Sequence, residues 1–267
     1  MIGQNFLLKR LEEIKSLDEL PKSIIINGDK GSGKHTFANE ISNKFGIKFE
    51  HINYELTTDI LNDMHSLSIP KFYLIDFDEI SKNKRVERFQ NTLLKFVEEP
   101  PMFAWVILLI TDLSTVLETI KNRCQIYRIS PYTLDELKEI GLQHNKSFSS
   151  EVLRVLRTPG NVVSFSMDDV NELFSLGNMI ISSISKATPS NALSISKKFD
   201  GDNASKLELF TSIFSKQLLV AYMSYSDERL YKALLLTKEF QNSLRVLNIN
   251  KKYALDNYLL RLKNTFM

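Results

Sequence analysis

Three consecutive isoleucines, Ile24, Ile25 and Ile26, run almost directly into Gly28-Asp29-Lys30-Gly31-Ser32-Gly33-Lys34-His35-Thr36. A β-branched run favours a strand, and the glycines allow the positive φ and close backbone approach that a tight loop needs. Lys34–Phe45 then reads as a helix. Strand, glycine loop and helix N-terminus in this order gather backbone N–H groups around an anion, with Lys34 reaching the β- and γ-phosphates of a nucleotide. One position departs from that pattern. A Ser or Thr hydroxyl should follow the lysine to hold Mg²⁺, but His35 stands there, and Thr36 points about 100° away on a helix. The loop therefore predicts phosphate binding through Gly28, Gly31, Ser32, Gly33, Lys34, His35 and Thr36. It also predicts that nucleotide is held weakly or unproductively, with little hydrolysis by this chain alone.

A second apolar run, Phe72–Ile75, ends in Asp76-Phe77-Asp78-Glu79. Magnesium-dependent phosphoryl chemistry wants one acid for the metal shell and another to orient or activate water. If Asp76 is the metal acid, its neighbour is Phe77, which cannot activate water. If Asp78 and Glu79 are the functional pair, the strand must carry Asp76 inside it. Both registers stay open, so Asp76, Asp78 and Glu79 are all candidates. His51, His65 and His144 are scattered without partners and read as surface or packed side chains. Lys82, Lys84, Arg85 and Arg88 could meet a nucleic-acid backbone, although a solvated loop is the simpler reading.

Ala104–Ile110 predicts a third strand and Ile126–Ile129 a short fourth. Continuous apolar runs bounded by polar residues suit strands buried on both faces. Between them Phe89, Leu93, Phe96 and Val97 share one helical face, and that helix must stop before Pro100-Pro101. Another helix is expected to begin near Ser114. Strands alternating with helices imply an α/β domain with a largely parallel sheet. After Pro131 the pattern is helix after helix. Thr133 with Glu136 forms a capping box. Leu207, Phe210, Phe214 and Leu218 make one stripe, and Tyr253, Leu255, Tyr258, Leu259 and Leu262 another. Thr188-Pro189 and Asp200–Ser205 read as joints.

Composition removes several classes. With 34 Lys+Arg against 32 Asp+Glu the net charge is only +2, too small for charge-driven, non-specific nucleic-acid binding by the whole chain. One cysteine, Cys124, cannot build a disulfide framework or a multi-cysteine zinc site and fits a reducing cytosol. No apolar run reaches about 18 residues, and Met1–Lys15 lacks the core of a signal peptide. The expectation is a cytoplasmic protein with no membrane contact.

Further segments, in order, carry a resemblance. They are Ile2-Gly3-Gln4; the phosphate loop; Asn91-Thr92-Leu93-Leu94-Lys95-Phe96-Val97-Glu98-Glu99-Pro100-Pro101; Leu109-Ile110-Thr111; and Thr119-Ile120-Lys121-Asn122-Arg123-Cys124, with Asn122 where the pattern has serine. Gly160-Asn161 follows without the expected arginine, and Asn248-Ile249-Asn250 precedes Leu255 and Leu259-Leu260. Together they resemble the clamp-loader branch of the AAA+ ATPases, most closely its delta-prime type.

The resemblance implies an AAA+ P-loop core over residues 1–131, a helical lid over 132–187 and a helical collar over 188–267. It implies ATP and Mg²⁺ as cofactors. It implies no zinc, since residues 42–71 hold no cysteine for the usual zinc module. It gives Thr111 a sensor role and makes Arg123 an arginine finger acting in trans on a neighbour's nucleotide. The implied partners are other clamp-loader subunits of gamma/tau and delta type, the sliding clamp, and primer–template DNA reached through a DNA polymerase III hetero-oligomer. Two alternatives remain: a gamma/tau-like catalytic ATPase of the same fold, and a P-loop phosphotransferase. The second gives the helical half and the Glu-Glu-Pro-Pro helix no role.

Overall fold

Five parallel strands lie in the order β2-β3-β4-β1-β5. In this computed structural model residues 1–52, 58–80, 86–183, 199, 204–244 and 250–266 are described. The strands are β1 (Ser23–Asn27), β2 (Phe49–His51), β3 (Lys71–Asp76), β4 (Ala104–Ile110) and β5 (Gln125–Arg128). β1 pairs with β4 in the register Ile25↔Leu108 and with β5 as Ile25↔Ile126. The isoleucine triad is thus central, as its unbroken apolar character requires. Ile24, Ile26, Phe72, Leu74, Trp105, Ile107 and Leu109 pack on one face of the sheet, against Leu7 and Leu11 of α1 (Asn5–Glu13) and Phe37 and Ile41 of α2 (Lys34–Phe45). Ile25, Tyr73, Ile75, Val106, Leu108 and Ile110 pack on the other, against Phe89, Leu93, Phe96 and Val97 of α5 (Val86–Glu98). Alternate residues of each strand feed opposite layers, so a run apolar at every position ends with both faces covered.

The three main strands and α2 stand where the sequence places them. Three details differ. The last strand sits one residue earlier, at Gln125–Arg128. The short edge strand β2 has only three residues, too few for a periodic signal, and it pairs with β3 as Phe49↔Phe72. The helix expected from Ser114 is a 3₁₀ turn over Leu113–Thr115 followed by the four-residue α6 (Glu118–Lys121). There Asp112 accepts a hydrogen bond from Ser114 N at 2.8 Å, a local turn that competes with helix.

The remaining helices of the first half are α3 (Thr58–His65) and α4 (Phe77–Ile80). They are followed by α7 (Leu134–Gln143), α8 (Ser150–Leu156), α9 (Pro159–Ser164) and α10 (Met167–Ser183). Helices Ala204–Tyr225, Glu228–Ser243 and Lys251–Phe266 close the chain. No strand follows Pro131 among the described residues, which confirms the α/β core followed by a helical part. The Thr133–Glu136 capping box forms with both of its hydrogen bonds.

The chain divides into two compact units. One comprises 1–147 and 157–164, the other 148–156 and 165–267. In the second unit Leu207, Phe210, Phe214 and Leu218 are all buried, with the two phenylalanine rings stacked at 5.6 Å. Leu255, Tyr258, Leu259 and Leu262 are buried too. Tyr253, grouped with them in the sequence, is 73% exposed, because two residues on a helix turn the side chain about 200° away. Thr188-Pro189, the 187/188 boundary, residues 200–203 of the second joint, Lys82, Lys84, Arg85, Asn248 and Ile249 lie outside the described residues.

Candidate phosphate-binding site

Where β1 ends, the backbone turns through Gly31 at φ +75° and Gly33 at φ +96°. Gly33 is the N-cap of α2 and brings no side-chain cap. The first N–H groups of a twelve-residue helix are thereby left for a ligand. A side chain at Gly31 would also crowd Thr158 and Gly160. A Cβ there would stand 3.2 Å from the Cα of Gly160, whose N–H donates to Gly31 O at 2.8 Å. Tyr132 Oη donates to Ser32 O at 2.9 Å, bracing the loop from the other side. Ser32 Oγ is buried and has no hydrogen-bond partner.

Gln4 frames the site from further out. Its buried amide bonds both to Ser130 O and to Ser130 N, each at 2.9 Å. This fixes the Ile2-Gly3-Gln4 segment to the end of the sheet.

Lys34 is buried, and its Nζ donates to Gly28 O at 2.9 Å and to Thr111 Oγ1 at 2.7 Å. Thr111 in turn donates through its N–H to Asp78 Oδ1 at 2.9 Å and through its hydroxyl to Asp78 Oδ2. Asp78 Oδ2 also lies 3.6 Å from the lysine. Lys34, Thr111 and Asp78 therefore converge, from α2, the residue after β4 and α4.

The three acids stand in different places. β3 carries Asp76 as its last residue, α4 begins at once, and Phe77 turns into the core with 0% exposure. Asp78 rather than Glu79 faces Lys34, and Glu79 is exposed.

Asp76 instead faces His35, with Oδ2 3.5 Å from Nε2. Burial pushes the Asp76 carboxyl up. The hydrogen bond and charge of His35 and the N–H groups of Glu79 and Asp78 outweigh that and hold it below its ordinary value. The donor set does not fit magnesium. That ion wants hard oxygen ligands in octahedral array, yet an imidazole stands at the hydroxyl position and holds the one strand-end carboxylate. Thr36 is exposed, one residue round the helix.

Arg123 lies between α6 and β5. Nη1 donates to Thr119 O at 3.0 Å, and Nη2 is 3.2 Å from Glu98 Oε1. Glu118 pairs with Lys121 instead. Burial pushes the thiol of neighbouring Cys124 up to about 12, which disfavours the thiolate. His51, His65 and His144 are all exposed, as is Arg88. Among the described residues no group of three or more His, Cys, Asp or Glu could hold a metal ion, and no helix is long and apolar enough to cross a membrane. Tyr132 and Thr158, which reach the loop from about a hundred residues away, carry no local sequence signal.

A family described as "DNA polymerase III, delta subunit" matches residues 46–133. The DNA polymerase III subunit gamma of Buchnera aphidicola subsp. Schizaphis graminum is 25% identical over 198 residues, covering 60% of this chain and 53% of that protein. The DNA polymerase III subunit gamma/tau of Mycoplasma genitalium is 25% identical over 169 residues, 52% of this chain and 28% of that protein. The match thus spans about half of the first relative and little more than a quarter of the second. Two solved Thermotoga maritima structures are also similar. The RuvB Holliday junction branch migration motor is 22% identical over 66% of this chain and 64% of its own, with a TM-score of 0.49. A DNA polymerase III gamma subunit-related protein is 17% identical over 98% and 99%, with a TM-score of 0.48.

Proposed function

We propose that this chain, a relative of the DNA polymerase III clamp-loader AAA+ subunits, serves as a clamp-loader subunit that does not hydrolyse ATP itself. The observation that carries this reading is the His35–Asp76 pair, which stands where a hydroxyl and a free carboxylate would hold Mg²⁺. Phosphoryl transfer depends on electrostatic positioning. A site without its metal ligands and with Phe77 in place of a water-orienting acid is expected to be slower by orders of magnitude. Such a chain contributes by assembly. It would join gamma/tau-like and delta-like subunits through the helical region after residue 188 and act with them on a sliding clamp and primer–template DNA in the cytoplasm. It would present Arg123 to a neighbour's nucleotide, as a delta-prime-type subunit does by resemblance. The helices from 132 to 187 would form the lid.

A second reading, a gamma/tau-like catalytic subunit, is favoured by the names of the two curated relatives. Turnover separates the two. The purified chain should release phosphate from ATP no faster than its Lys34→Ala variant, while an assembly reconstituted with a catalytic subunit should be DNA-stimulated. Lys34-dependent turnover by the chain alone would establish the second reading in place of the first.

A further inference from the structure

We propose that Asp78 makes the phosphate loop selective for nucleoside diphosphates, its carboxylate filling the place a triphosphate's terminal phosphate would take. This rests on the phosphate-site reading above. In a loop of this type the lysine reaches the β- and γ-phosphates, and the hydroxyl and N–H of Thr111 are donors beside Lys34. Asp78 takes both donors of Thr111 and lies within ion-pair distance of Lys34, whose ammonium donates to Gly28 O, Asp29 O and Thr111 Oγ1. Thr111 N donates to Asp78 Oδ1 at 2.9 Å, Thr111 Oγ1 donates to Oδ2, and Lys34 Nζ lies 3.6 Å from Oδ2 while donating to Thr111 Oγ1 at 2.7 Å.

A hydroxyl carries one proton. With Lys34 as donor to Thr111, and Thr111 as donor to Asp78, the threonine has no proton to offer a phosphate. A γ-phosphate would have to displace the carboxylate or lie beside it as a like charge, and either is unfavourable. Magnesium would ordinarily relieve such crowding, and the donors for it are missing here.

The carboxylate is also held in place. Asp78 sits between Phe77 and Ile80, exposed 0% and 3%, so the short helix α4 is anchored on both sides of it. The α- and β-phosphates would be held by the backbone N–H groups of the loop and of the start of α2 rather than by Thr111.

Isothermal titration of the full chain with ADP and with a non-hydrolysable ATP analogue tests this. The wild type should bind ADP at least about tenfold more tightly, since a charged group left without its hydrogen bonds forfeits about ten- to a hundred-fold in affinity. In Asp78→Asn that ratio should fall by about tenfold, mainly through tighter binding of the analogue, and Asp78→Ser should behave alike. A wild type that prefers the analogue, or a ratio unmoved in both variants, would overturn the assignment to Asp78 while leaving the phosphate site standing. Binding of neither nucleotide, or binding that survives Lys34→Ala, would overturn the phosphate site and this selectivity with it.

Discussion

His35 occupies the position on which metal use turns, and its contact with Asp76 can be tested without any nucleotide. Because the Asp76 carboxyl titrates below its ordinary value of 3.8 when folded, its contribution to stability is complete above that value. The contribution is lost as pH falls through the folded pKa. In His35→Ala the upward push of burial meets only the N–H groups of Glu79 and Asp78. The Asp76 midpoint, followed by carboxyl-carbon NMR, should therefore rise, and an unchanged midpoint would mean the imidazole does not act on it. Arg123 makes a second residue-scale case. Its pair with Glu98 is 42% and 44% exposed, so Arg123→Ala should cost at most about 1 kcal/mol in thermal or urea unfolding. If the residue is a trans-acting finger, the same variant in a reconstituted assembly should slow one ATP site by roughly 10³–10⁵ and impair clamp loading. Wild-type loading would remove that role. The lysine, the glycines and the missing hydroxyl were legible in the sequence because each has a local geometric requirement. That Asp78 rather than Asp76 lies beside Lys34 was not, since it depends on β3 ending at Asp76 and on Phe77 packing into the core.

Among the elements, those with long uninterrupted signals stand where periodicity puts them. α5 shows why: Phe89, Leu93, Phe96 and Val97 share a face and all are buried. Leu93→Ala, at a position with 0% exposure, should destabilise by about 2–5 kcal/mol in chemical denaturation. A loss under about 1 kcal/mol would mean the α5 face repacks. Thr133→Ala removes a side-chain acceptor from the start of α7 and should cost about 1 kcal/mol, readable as a small drop in Tm. β2, with three residues, escaped the sequence because a period cannot be read from so few alternations, and the helix expected from Ser114 shrank to the four residues of α6 behind a 3₁₀ turn. Tyr253 was counted into the stripe of Leu255, Tyr258, Leu259 and Leu262, and the helix geometry separates it.

At the scale of the whole molecule, each unit has a core of its own. The single tryptophan, Trp105, lies in the sheet core with its indole N–H bonded to Leu20 O at 3.1 Å. The second unit has Phe210 stacked on Phe214, and Phe240 on Tyr258 at 4.4 Å, with Tyr258 Oη 2.7 Å from Thr237 Oγ1. Phe214→Ala should lower the second unit's stability by about 3–5 kcal/mol, seen in the helical circular-dichroism signal. The Trp105 fluorescence transition should move less. Equal shifts by both probes would show that the two cores unfold as one.

The strand order has a consequence for how the chain is made. β1 is hydrogen-bonded on one side to β4 and on the other to β5. Both are translated about eighty or more residues later, so at roughly ten residues per second the isoleucine triad waits several seconds for its neighbours. During that interval Ile24–Ile26 is a short, charge-free strand with both edges open, the kind of segment that pairs with the wrong chain. Nascent chains stalled before Ala104 should therefore engage holdase chaperones and aggregate without them, whereas chains released beyond Arg128 should not. The loop that begins one residue after that strand cannot take its shape until then either, so phosphate binding appears late in synthesis although its residues are among the first to be made.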